Sequence, residues 1–411
     1  MERRPAWLAI GIAGAIAALI LMGLGALTLL LALISGVGTG VAMVDLLSAL
    51  GFLLLGLGVG VPLVVHAWRG WHARPSQPFI ARRFWLLGLA LILLFGLDAL
   101  AIWLSFPGVL VAIFHLLTFA LPPLVVLGLV GWALRGKGGS WREAVAGLSG
   151  GSFFGIGSSV IIEIGLLLVL IVLIVIYVMT LGPEQQERLM RLAEQFREMS
   201  PQTLSDELLR EAAGLILSPA TVIILLVSIA VVIPLIEEVF KTLSAGVVGH
   251  WLRPAAPRAF FWGVAGGAGF ALAENLLSSS MAGSGDWSML AVAVSRSGTT
   301  AMHALAGGLV GWGWGQLWRE RRPLRLIGSY ALAVTIHGVW NAAAIGTALL
   351  GLVTMGGTPS PVPPRLASVG AVVLSVLLVV IAIAAFLALP VIGYRLARRE
   401  VPGSEDDRPS A

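Results

Sequence analysis

Pro234-Leu-Ile-Glu-Glu-Val-Phe-Lys241 places two adjacent carboxylates and an ammonium directly behind an apolar run from Ala213 to Ile236. A run of about 20 apolar residues is long enough to cross roughly 30 Å of hydrocarbon. Charge at that depth is expensive unless it is paired, so intramembrane Glu and Lys read first as a functional site. The stretch therefore predicts a membrane helix that carries chemistry.

The rest of the chain agrees with a membrane setting. Of its 411 residues 58% are hydrophobic and only 11% charged, and the mean hydropathy is +0.96, values of a polytopic membrane protein rather than a globular one. The net charge of +5 sits in short clusters between apolar spans, which points to topology and argues against a nucleic-acid partner. With no cysteine, thiol nucleophiles, disulfides and Cys-ligated zinc are excluded. The first apolar segment is longer than a signal-peptide core and is read as a retained helix.

Segments long enough to span fall at about 7–34, 44–67, 84–106, 109–134, 151–181, 213–250, 260–281, 289–318, 326–352 and 366–394. The fold class expected is thus all-α, a multi-pass protein of the cell membrane with about ten transmembrane helices. Basic residues collect in alternate connections, at Arg3–Arg4, Arg69–Arg83, Arg135–Arg142, Arg253–Arg258, Arg319–Arg325 and Arg395–Arg399. By the positive-inside rule both termini are expected on the cytoplasmic side. Residues 183–212 carry seven acids against four arginines, with Leu189, Leu192, Phe196 and Met199 at helical steps, and read as an extracytoplasmic amphipathic segment. The domain expectation is a five-helix N-terminal region (1–182) with no role assigned, that outer segment, and a four-helix core (213–352). A proline-rich outer loop with the last helix (353–395) and a polar cytoplasmic tail (396–411) complete the chain.

Three further polar clusters follow the opening one: Glu274 with Asn275, His303, and His337 with Asn341. Glu237, Glu274 and His303 each lie 16 residues from the nearest basic connection, and His337 lies 12 residues from Arg325. At about 1.5 Å per residue all four sit roughly 18–24 Å along their helices, close to one depth. Glu237 to Lys241 and His337 to Asn341 are i,i+4 pairs on one helix face. Gly263 and Gly267, and Gly307, Gly311 and Gly315, supply the small-residue steps that let membrane helices approach closely. Pro234 removes a backbone donor just before the glutamates, where a kink would open the helix.

Bland readings stand beside these. Lys241 reads equally as a simple counter-charge, Asn341 as a helix-to-helix hydrogen bond, and either histidine alone as a satisfied interior residue. Asp98, His115 and Glu163 have no partner at a visible spacing and read as structural. Arg296, at i,i+7 from His303, is a substrate-contact candidate that also has the option of snorkelling. A set of carboxylates, imidazoles and an amide at one depth suits water activation against a carbonyl. The same Glu and His side chains could hold zinc with an open position, although no His-Glu-x-x-His is present. An intramembrane Glu/His chain also suits a proton-coupled transporter; the inverted repeats of that class are absent. A catalytically silent scaffold is the third reading.

Glu237-Glu238-Val-Phe-Lys241, Phe270-Ala-Leu-Ala-Glu274-Asn275, His303 and His337-Gly-Val-Trp-Asn341 resemble the ordered motifs of the PrsW family of intramembrane proteases, distant relatives of the CAAX-processing and Abi-type peptidases. The resemblance covers about 231–345. It departs from the CAAX pattern, which has an arginine after the double Glu and a histidine in the second motif, where Lys241 and Glu274 stand here. It implies an endopeptidase acting on single-span, membrane-anchored substrates such as an anti-sigma factor, within the lipid bilayer. The residues implied are Glu237, Glu238, Glu274, His303, His337 and, as oxyanion donor, Asn341, with Lys241, Asn275 and Arg296 in support. Zinc, if used, would be held by Glu238, Glu274, His303 and His337; metal-free glutamate chemistry is the other option. The base is one of Glu237 and Glu238, and the i,i+3 step to Lys241 favours Glu238.

Overall fold

The computed structural model describes residues 4–34, 40–180, 182–184, 186–187, 190–191, 194, 213–214, 216–278, 287–354 and 362–399. Among these the regular structure is helical, and extended pairing is limited to one bridge between Pro78 and Ser140. The first helices are α1 (Arg4–Ile34), α2 (Gly40–Leu55), α3 (Val61–Trp71), α4 (Phe84–Trp103), α5 (Gly108–Ala133), α6 (Trp141–Ser149) and α7 (Ile156–Thr180). They are followed by α8 (Pro219–Val227), α9 (Ile233–Leu252), α10 (Ala256–Ser278), α11 (Trp287–Glu320), α12 (Pro323–Thr354) and α13 (Pro364–Arg399). Short π turns at Gly56–Gly60, Gly150–Gly155 and Ser228–Val232 join α2 to α3, α6 to α7 and α8 to α9. Most of the expected outer segment 183–212 lies outside the described residues, as do most of the proline-rich connection and the tail from 400.

Over their described residues all ten segments expected to span are mainly helical, and among the described residues nine helices are both long and apolar enough to cross a membrane. The exception is α11, which has 34 residues but a mid-section rich in Gly, Thr and His. Every residue from Thr299 to Gly308 is buried, so α11 faces other helices instead of lipid and has no need of an apolar surface. The same holds for α10, whose apolar window is 89% buried, against 11% for α13.

The chain forms two compact units. One comprises the described residues of Met1–Gly157, Glu237–His337 and Val379–Ala411, the other those of Ser158–Ile236 and Gly338–Leu378. Within the first, α10 is the central helix: every position from Ala259 to Ala273 is buried, and α5, α6, the Gly150–Gly155 turn and α11 pack around it. Glycine makes this approach possible. A Cβ on Gly263 would collide with the Gly307 carbonyl, one on Gly267 with the His303 carbonyl, and one on Gly266 with the Lys241 carbonyl. Gly263 and Gly267 are the glycine steps expected from the sequence, and together with Gly266, which the sequence reading did not single out, they let the backbones of α9, α10 and α11 come into contact. α6 begins with a capping box between Ser140 and Glu143, and Glu143 also pairs with Arg258 at the start of α10.

In the second unit the π turn Ser228–Val232 directly precedes Ile233 and Pro234. Proline cannot donate to the carbonyl four residues earlier, and a π turn absorbs that mismatch without ending the helix. The carbonyl left exposed on Ala230 lies where a Cβ on Gly338 would meet it. The kink expected at Pro234 thus takes the form of a one-turn widening.

Candidate active site

α9 presents Glu237, Glu238 and Lys241, α10 presents Glu274, α11 presents His303, and α12 presents His337. Glu238, Lys241, His303 and His337 are buried, with Glu237 at the burial limit, 9% exposed. Lys241 Nζ donates to Glu238 Oε1 at 2.7 Å and lies 2.7 Å from His303 Nδ1. His337 Nδ1 is 2.8 Å from the same Glu238 oxygen. His303 Nε2 is 2.9 Å from Glu274 Oε2, whose other oxygen accepts from Arg296 Nη1 at 2.6 Å. The four polar clusters therefore meet in one network, as their common depth led us to expect.

The network sets the tautomers. An ammonium only donates, so His303 Nδ1 is an acceptor and its Nε2–H faces Glu274. Glu238 Oε1 accepts from Lys241, so His337 presents Nδ1–H to it and keeps its lone pair on Nε2. That nitrogen lies 3.6 Å from Glu237 Oε2. The two imidazoles stand edge to face, 4.8 Å between centroids, and the ammonium lies 4.8 Å from the centroid of the Phe270 ring, a favourable placing for a buried cation.

Glu237, His303 and His337 each bring one ligand atom to within 4.8 Å of the others, the one group of metal-holding size among the described residues. This differs from the set suggested by sequence. Glu238 Oε1 is shared by Lys241 and His337, and Glu274 is held by Arg296 and His303, whereas Glu237 faces a histidine lone pair. One Glu and two His are a donor set that zinc accepts, and the 3.6 Å between Glu237 and His337 is near the edge of a tetrahedron with bonds of about 2.0–2.1 Å. His303 joins such a group by exchanging its bond to Lys241 or to Glu274. The residues fit a metal in kind and spacing, with Lys241 as the competitor for one ligand.

The comparisons bear on the same region. Residues 203–385 match the model of the PrsW family intramembrane metalloproteases. This stretch is a PrsW-family domain. No curated protein and no solved structure matched the chain. The PrsW domain contains all four motif clusters, and with nine apolar spans among the described residues it makes the chain a membrane-embedded peptidase of the multi-pass class.

The supporting residues fall into different places. Arg296 Nη2 also donates to Ser278 Oγ at 2.7 Å, so Arg296 clamps the ends of α10 and α11 through Glu274 and Ser278. Asn275 Nδ2 donates to the Phe119 carbonyl and to Thr300 Oγ1, both at 3.1 Å, tying α5 to the PrsW domain. Asn341 belongs to the second unit, where its Nδ2 donates to the Ile229 carbonyl at 2.9 Å. Two features escaped the sequence reading. Asp98 and His115, taken as isolated, are both fully buried and meet at 2.5 Å, because α4 and α5 form a hairpin that sets them opposite each other. The Gly150–Gly155 turn packs on α10: Ser152 Oγ donates to the Gly269 carbonyl at 2.7 Å, and a Cβ on Gly155 would come within 3.1 Å of Lys241 Cα. The paired glycines at 150 and 151 were its only signal.

Proposed function

We propose that the PrsW domain hydrolyses peptide bonds of single-span, membrane-anchored proteins, of the anti-sigma-factor kind, with Glu237 as the general base. The observation that carries this reading is the pairing of Glu237 Oε2 with His337 Nε2 at 3.6 Å, a carboxylate and an imidazole lone pair close enough for both to contact one attacking water. Glu237 takes a proton from that water as it attacks the carbonyl, and His337 positions it through Nε2. Glu238 is a positioning residue, holding the His337 tautomer through Nδ1 while Lys241 balances its charge. This reverses the preference for Glu238 that the i,i+3 step suggested, since both partners of Glu238 engage the same oxygen. Glu274 and Arg296 position His303. Asn341 stays the proposed oxyanion donor on the strength of its place in the His337-Gly-Val-Trp-Asn341 motif. A zinc ion held by Glu237, His303 and His337 would supply Lewis acidity instead, since it would take up the same His337 lone pair. Both termini are proposed to be cytoplasmic, from the charge pattern of the connections.

The test is cleavage of a single-span substrate in liposomes. Loss of the base or of an imidazole should lower the rate by about 10²–10⁴-fold in Glu237→Gln and in His303→Ala. Undiminished cleavage by both variants would overturn the site assignment.

A further inference from the structure

Away from the protease site, a cavity of about 830 Å³ opens between the end of α5 and the end of α13. Five arginines line it: Arg82, Arg135, Arg395, Arg398 and Arg399. They come from three basic connections far apart in sequence, and all five are exposed. None takes part in the ion pairs formed among the described residues. Two of the guanidiniums share one ring, Arg135 at 5.0 Å and Arg398 at 5.6 Å from the Tyr394 centroid. Like charges gathered this closely call for an anion.

The rest of the lining is of the opposite character. Pro390, Val391 and Ile80 line it together with Trp132, and Trp132 is 49% exposed at the last turn of α5, the position of an interfacial tryptophan. Lys137 Nζ donates to the Ala397 carbonyl at 2.9 Å and holds the two helix ends together beside the cavity. Guanidiniums beside an apolar, aromatic lining match an amphiphile with a negative head. An acidic peptide would satisfy the guanidiniums and leave the apolar wall uncovered.

We propose that this cavity binds an anionic glycerophospholipid, its phosphate among Arg135, Arg395 and Arg398 and its acyl chains along Pro390 and Val391. Basic pockets between membrane helices take such headgroups, each arginine contributing about fivefold in affinity.

The test uses the full chain, purified in neutral detergent and stripped of lipid, with phosphatidylglycerol binding followed by native mass spectrometry. One phosphatidylglycerol per chain should bind at least about tenfold more tightly than phosphatidylcholine, and Arg135→Gln/Arg398→Gln should weaken it by about 25-fold. Arg253→Gln/Arg321→Gln, which removes the same charge outside the cavity, should stay within about twofold, and the lipid-free melting temperature of both variants should match wild type. The proposal is overturned if the two double variants lose affinity equally, if phosphatidylcholine binds as well, or if inorganic phosphate displaces the lipid at equal concentration. It is also overturned if deleting 400–411 creates the binding, since the acidic tail would then be the natural occupant.

Discussion

Lys241 Nζ lies 2.7 Å from His303 Nδ1 although the two residues are 62 positions apart, and the same ammonium holds Glu238 at 2.7 Å. One lysine thus bridges α9 to α11 and fixes the state of both a carboxylate and an imidazole. Removing it strands a buried carboxylate, which costs about 3–5 kcal/mol. Lys241→Met should therefore unfold at a clearly lower temperature in detergent, while Glu238→Gln/Lys241→Met regains most of the loss and still fails to cleave. A single Lys241→Met variant as stable as wild type would show that the pair carries no structural weight.

The same lysine competes with a metal for His303. In Glu238→Gln/Lys241→Met the nitrogen is released and a cation is removed from beside the site, so zinc should bind at least about tenfold more tightly than to wild type. Each pKa-unit-sized change of interaction, about 1.4 kcal/mol, is a factor of ten. Glu237→Gln should bind zinc more weakly than wild type. Titration calorimetry on the two variants separates this donor set from the one built on Glu238 and Glu274, for which removing Glu238 would abolish binding.

Gly267 sits where a side chain would strike the His303 carbonyl, while nothing lies within 4 Å of a Cβ at Gly328. Overpacking at a helix contact costs about 1–3 kcal/mol and shifts backbones, and a shift of about 1 Å at a catalytic group can cost 10²-fold in rate. Gly267→Val should lose about that much cleavage, and Gly328→Ala should be as active as wild type and slightly more stable. Equal activity of the two would mean that α10–α11 contact does not position His303.

Asp98 and His115, fully buried at 2.5 Å, should behave as a coupled pair. Asp98→Leu and His115→Leu each leave one polar group buried alone, whereas the double variant leaves neither. A double-mutant cycle in stability should give a coupling of at least about 1 kcal/mol. Additive effects would show that the pair contributes no more than two separate side chains.

How much of this could be read beforehand follows from what membranes constrain. Helices, apolar spans and the meeting of Glu237, Glu274, His303 and His337 with their neighbours were legible because lipid enforces apolar runs of fixed length and makes buried charge rare. The glycine contacts of Gly263 and Gly267 were legible for a related reason, since close approach requires small residues at helical steps. The failure of α11 to qualify as apolar was not, because a helix enclosed by others escapes the lipid constraint. Which oxygen of which glutamate meets which nitrogen depends on helix rotation, and spacing along one helix cannot report it. The Asp98–His115 pair and the bond from Asn275 to the Phe119 carbonyl needed the packing of α4 and α5, which hydropathy leaves undetermined.

On the proposed mechanism, water activated beside Glu237 opens a peptide bond inside the membrane. Cleavage of a single-span substrate in liposomes made up in ¹⁸O-water, with the products read by mass spectrometry, tests it most directly. One ¹⁸O should enter the new carboxyl terminus, the cut should fall within or at the edge of the substrate's apolar span, and both products should be lost in Glu237→Gln. Products that form at the wild-type rate in Glu237→Gln would contradict it.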